Sequence, residues 1–127
     1  MRCHPIPRLL VLCLTTTVSL AEDWPMWRRD AARSAEASTP LPQTRELLWQ
    51  RQFPALSPAW PEDRRLQFDA SYEPIVQGKR LFVACSRDDS VSALHTDTGD
   101  LLWRFFADGP IRFAPVAVGD RVFFVSD

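Results

Sequence analysis

Tyr72-Glu73-Pro74-Ile75-Val76-Gln77-Gly78-Lys79-Arg80-Leu81-Phe82-Val83 returns as Phe113-Ala114-Pro115-Val116-Ala117-Val118-Gly119-Asp120-Arg121-Val122-Phe123-Phe124. Proline, glycine, arginine and phenylalanine recur at one fixed offset of 41 residues, and most positions between them are apolar in both copies. A repeat of about 40 residues rich in strand-forming side chains is what a four-stranded propeller blade requires. The fold class expected is therefore all-β, built of four-stranded antiparallel β-propeller blades. The chain spans about one complete blade and part of the next, which reads as the opening of a larger propeller.

Working outward from the repeat, residues 71–106 make the first blade and 112–127 start the second. Ser71 to Val76 reads as an inner strand with Pro74 inside it, which suits an edge position because proline cannot donate to a ladder. Gln77-Gly78-Lys79 is a hairpin turn. Arg80 to Ser86 is apolar on both sides of the pleat, as a strand packed between two blades is. Ser90 to His95 and Leu101 to Phe106 follow, joined by Asp97-Thr98-Gly99-Asp100, whose glycine supplies a positive φ. Arg112 to Val118 and Arg121 to Ser126 repeat the first two strands. Upstream, residues 22–46 form a turn-rich lead-in segment in which Ala31 to Ala37 allow one helical turn at most. Residues 54–65 are a Pro-rich loop. Leu47-Leu48-Trp49-Gln50 is similar to Leu101-Leu102-Trp103-Arg104, yet no earlier blade strands precede it. Leu47 to Phe53 is therefore expected to close the last blade of a ring, with Trp49 in the role of Trp103.

The N-terminus carries Arg2 and Arg8, an apolar run from Leu9 to Leu20, and small residues in Ser19-Leu20-Ala21. That is the three-part secretory signal, residues 1–21, with cleavage after Ala21 and export to the periplasm or the outside. The apolar run falls short of the ~20 residues that a bilayer span needs. Of 15 basic side chains two leave with the signal, against 16 acids that all stay. This slightly acidic balance gives no footprint for nucleic acid or an anionic membrane. Removing Cys3 and Cys13 leaves Cys85 alone, so no internal disulfide forms. Cys85 lies in an apolar run and reads as a small buried hydrophobe.

Ala93-Leu94-His95-Thr96-Asp97-Thr98-Gly99-Asp100-Leu101-Leu102-Trp103 resembles the repeat of the pyrroloquinoline-quinone-type (PQQ-like) propellers, as do Asp23-Trp24-Pro25-Met26-Trp27-Arg28 and Gly109-Pro110-Ile111-Arg112-Phe113-Ala114-Pro115. The resemblance implies a ring of about seven or eight blades, as is usual for propellers. Thr98, Gly99 and Trp103 are the repeat motif, and the tryptophan packs between neighbouring blades. His95 stands where the family has aspartate, and Asp88-Asp89 where Asp-Gly is usual. Some members of such a family hold PQQ with calcium and oxidise alcohols or sugars. Others, such as the barrel-assembly lipoprotein type, bind no cofactor and hold proteins on the propeller rim. Fold alone does not choose between them.

The residues favour the second kind. A quinone–calcium site draws on carboxylate and amide oxygens, and this chain contains no asparagine and no adjacent cysteines. Asp69, Glu73, Asp88 and Asp89 lie near strand ends, where aspartate is common as a solvated turn residue. Trp103 reads as inter-blade packing and not as a stacking platform. Trp24, Trp27 and Trp60 lie outside the repeat and read as staples of their segments. His95 lacks a second histidine for a zinc site. The expected function is an exported scaffold or binding module with no catalysis and no cofactor of its own. Its partners are the other blades of the propeller and proteins held on the rim. The alternatives are the N-terminal part of a PQQ-dependent dehydrogenase, with PQQ and calcium in a full-length relative, or a truncated fragment without independent activity.

Overall fold

A computed structural model describes residues 22–127. The signal expected over residues 1–21 lies outside them. Two antiparallel sheets follow one another along the chain. The first holds β1 (Ile75–Gln77), β2 (Arg80–Cys85), β3 (Ser90–His95) and β4 (Leu101–Phe106), in that spatial order. The second pairs β5 (Val116–Val118) with β6 (Arg121–Phe123). Four strands in sequence order, then an inner pair that repeats the first two, is the blade architecture that the 41-residue offset predicts.

Alternation along the strands decides how the blades stack. Ile75, Phe82, Ala93 and Trp103 stand opposite one another across β1 to β4 and share one face. Ile75, Phe82 and Ala93 are buried there against Ala117 of β5, with Ala114 and Val122 packed beside them. Farther out on the same face, Phe105 meets Phe124 at 5.5 Å between centroids. That face is the one turned to the second sheet. Residues 51–54 lie against the opposite face, where Val83, Cys85, Ser90 and Ser92 point. Coverage on both sides explains why every residue of β3 but His95 is buried, although the strand alternates Ser with apolar side chains. Cys85 is buried and free, with the Tyr72 hydroxyl 3.5 Å from its sulfur.

Two expectations are corrected. The inner strands are shorter than read: β1 begins at Ile75 and β5 at Val116, so Pro74 and Pro115 precede the ladders and do not lie within them. A residue without an N–H marks where pairing can start, not a position inside it. β6 likewise covers Arg121–Phe123 and not the run to Ser126. Leu47 to Phe53 pairs in no ladder among the described residues, which hold no last blade for it to close. Ala31 to Ala37 form no helical turn, since Arg33 and Ala35 both take positive φ, and a three-residue 3₁₀ turn occupies Arg64–Leu66 instead.

The inner edge of the first sheet is not bare. Trp24 exchanges both backbone hydrogen bonds with Val76, each 2.8 Å, and the Pro25 carbonyl accepts from Ala117 N–H at 2.8 Å. The Asp23 carboxylate accepts from Gly78 N–H at 2.7 Å. The lead-in segment thus runs antiparallel along β1 and bridges it to β5, satisfying edge groups that would otherwise need water. Asp89, where the family has glycine, takes φ 53, a left-handed value that aspartate tolerates better than most residues. The departure from the repeat pattern leaves the turn intact.

Candidate functional site

The repeat motif and the tryptophans come first. Thr98 donates from its hydroxyl to Asp100 at 2.7 Å, and Gly99 N–H donates to the His95 carbonyl at 2.8 Å. These bonds lock the β3–β4 turn with Gly99 buried at φ 73. The Trp49 ring lies on that glycine: a Cβ at position 99 would stand 2.6 Å from Trp49 Cε3. Trp49 Nε1 donates to the Thr96 carbonyl at 2.7 Å, and Arg51 donates to the Gly99 carbonyl at 3.1 Å. Trp103 is elsewhere, on the face toward the second sheet, tilted against Phe82 at 5.9 Å and 40 % exposed. Trp49 is half-buried on a Thr-Gly turn, whereas Trp103 is exposed and has no such turn beneath it among the described residues. Trp103→Ala is expected to lower the melting temperature of the full-length protein while leaving ligand affinity of the folded fraction unchanged. Unchanged stability with lost binding would make Trp103 a ligand contact.

A second feature is a cleft of about 600 Å³ between the leads into β1 and β5 and the lead-in segment. Trp27, Phe68, Glu73, Arg112, Phe113 and Arg33 are among its walls. The topology puts these together: Ser71 and Glu73 precede β1 as Arg112 and Ala114 precede β5, at equivalent positions of the repeat. Structural positions of the repeat recur, whereas these differ in charge between the two copies. Phe68 stacks on Phe113 at 5.1 Å, and the Arg112 guanidinium sits 4.1 Å from the Phe68 ring centre. Trp27 carries the Arg33 guanidinium 4.8 Å from its ring.

At the base of the cleft Asp69 is buried, 4 % exposed, which corrects its reading as a solvated turn acid. One carboxylate oxygen accepts from Ala59 N–H at 2.9 Å and from Arg112 Nε at 3.3 Å. Arg112 also reaches Asp127 at 3.3 Å and the Leu66 carbonyl. Burial pushes the Asp69 carboxyl up, but the Ala59 N–H and the Arg112 guanidinium outweigh it and hold the group below its ordinary value. The other oxygen of Asp69 and the Ser86 hydroxyl are buried without a partner. Both residues line a small cavity of about 10 Å³ that shares Ser71, Glu73 and Arg112 with the cleft.

The remaining candidates are structural in their contacts. Asp88 accepts from Ser90 at 2.6 Å, and His95 Nδ1 accepts from Asp97 N–H at 3.2 Å within the turn. Trp24 is half-buried on β1, and exposed Trp60 donates to Asp127 at 3.3 Å. Calcium takes six to eight oxygens, whereas the cleft offers the carboxylates of Asp30, which accepts from Ser34, and Glu73, and the described residues contain no group of three potential metal ligands. Sequence reasoning missed the Asp69–Arg112 pair because its members lie 43 residues apart. The available signal was the charge difference at equivalent repeat positions.

A family model described as outer membrane protein assembly factor BamB matches residues 27–127. No curated protein and no solved structure matches the chain. Among the described residues no helix is long and apolar enough to cross a membrane.

Proposed function

The chain belongs to the family described as outer membrane protein assembly factor BamB, and from that premise we propose that it is an exported scaffold or binding module. Cleavage after Ala21 releases a protein that works by holding partners and performs no redox chemistry of its own. Its repeat supplies blades to a larger propeller, and its partners are the other blades and proteins held on the rim.

The observation that carries this reading is β4. All six of its residues are exposed, including Leu101, Leu102, Trp103, Phe105 and Phe106. A run of large apolar side chains open on an outer strand is what a surface meant for another protein element presents. The cleft between the two blade leads supplies a separate concave site on the same scaffold.

Titration of the full-length protein with PQQ and calcium, followed by absorbance and a dye-linked alcohol assay, tests the reading. Neither a stoichiometric complex nor turnover above background is expected. A complex with turnover would make the protein a quinoprotein dehydrogenase and overturn the proposal.

A further inference from the structure

We propose that the cleft between the β1 and β5 leads binds a primary ammonium group carried on a flat apolar body, with Asp69, Ser86 and Glu73 as its recognition set. This rests on the reading of the chain as a binding module and names the class of ligand.

The argument starts from the two buried polar atoms that the fold leaves without partners. An ionised carboxylate oxygen only accepts, so the free oxygen of Asp69 calls for a donor, and the Ser86 hydroxyl beside the same cavity can accept from that donor as well. Burial makes both needs costly to leave unmet. At about 10 Å³ the cavity admits one water-sized group. A water molecule, an alcohol and an ammonium all meet that size.

Charge selects among them. Glu73 is half-buried, lines both the small cavity and the cleft, and has no hydrogen-bond or ion-pair partner among the described residues. Of the cations nearby, Arg112 pairs with Asp69 and Asp127, and the exposed Arg33 over the Trp27 ring is one charge against the carboxylates of Asp30 and Glu73. Asp30, on the same wall, accepts from Ser34. The uncompensated charge at the site is therefore negative, and a cationic donor satisfies it where a neutral one does not. Above the cavity the exposed surfaces of Phe113, Phe68 and Trp27 give an apolar body something to lie on.

Calorimetric titration of the full-length protein with benzylammonium, benzyl alcohol and benzyltrimethylammonium separates the possibilities. Benzylammonium is expected to bind at least about tenfold more tightly than the other two, since the alcohol lacks the charge and the trimethyl compound has no N–H donor and is too bulky to enter. Ser86→Ala and Glu73→Gln are each expected to weaken it by about tenfold with the melting temperature unchanged. A lysine with blocked termini, which carries the ammonium without a flat body, is expected to bind more weakly than benzylammonium, and equal affinity would overturn the flat-body part of the proposal. Equal binding of alcohol and ammonium would overturn the proposal. So would no binding in the millimolar range together with an ordered water on Asp69 in a crystal structure. Neither outcome touches the quinone titration, which judges the scaffold reading separately.

Discussion

Arg112→Ala is expected to destabilise the folded protein by about 3–5 kcal/mol, the range for removing one partner of a buried ion pair. Both side chains of the pair are at most 5 % exposed, so the lost guanidinium is not replaced by bulk water. The variant leaves Asp69 charged and buried with the Ala59 N–H as its remaining donor. It also removes the cation from the Phe68 ring. The pH dependence gives the loss a signature. In the native protein the Asp69 carboxyl is held below its ordinary 3.8, so the stability it adds is complete above that value and is lost as pH falls through the lower folded value. Without Arg112, burial is the larger influence and favours the protonated form. The gap between native protein and variant should therefore narrow on the acid side. Urea unfolding at neutral pH and near pH 3.5 measures it, a pH chosen just under the ordinary aspartate value. A loss below about 1 kcal/mol that does not change with pH would show that the pair is solvated, as surface pairs are.

Gly99→Ala is expected to cost roughly 2–5 kcal/mol, combining a left-handed backbone with a steric clash. The φ of 73 disfavours any Cβ, and the new methyl would lie 2.6–2.7 Å from two carbons of the Trp49 ring. To relieve that, the indole must leave its seat and give up the Thr96 hydrogen bond. Gly78 is the internal control, with a similar φ of 57 and nothing within 4 Å, so Gly78→Ala should show the backbone cost alone. In a Trp49→Ala background the Gly99→Ala cost should fall to the same backbone level of about 1–2 kcal/mol. Equal costs with and without the ring would mean that the tryptophan does not rest on the turn.

The first blade was legible because its signals are local. Ser90 to His95 and Leu101 to Phe106 coincide with β3 and β4, bounded by turns that Asp88-Asp89 and Thr98-Gly99 impose through backbone chemistry. The inner strands were overextended because apolar content continues past the residues that actually find a ladder partner, and proline sets the limit. Leu47 to Phe53 has strand composition, but composition does not supply a partner, and its observed contacts are side-chain ones through Trp49 and Arg51. The candidate site was less legible. The type and position of Asp69 fit a turn acid, and only the tertiary approach of Arg112 and Ala59 buries it. Likewise, the pairing of Trp24 with Val76 carries no period or motif, since it depends on where the lead-in segment meets an open edge.

Stacking of the blades by tryptophans seated on Thr-Gly turns is expected, with Trp49 doing for the first blade what Trp103 does for the next. An experimental structure of the full-length protein is the most direct test. Leu47 to Phe53 is expected to be hydrogen-bonded as the outermost strand of the last blade, beside β1–β4, with the Trp103 ring resting on the glycine of a Thr-Gly turn in the second blade. Trp49 hydrogen-bonded within the same sheet as Arg80 to Cys85, or Trp103 turned to solvent, would contradict it.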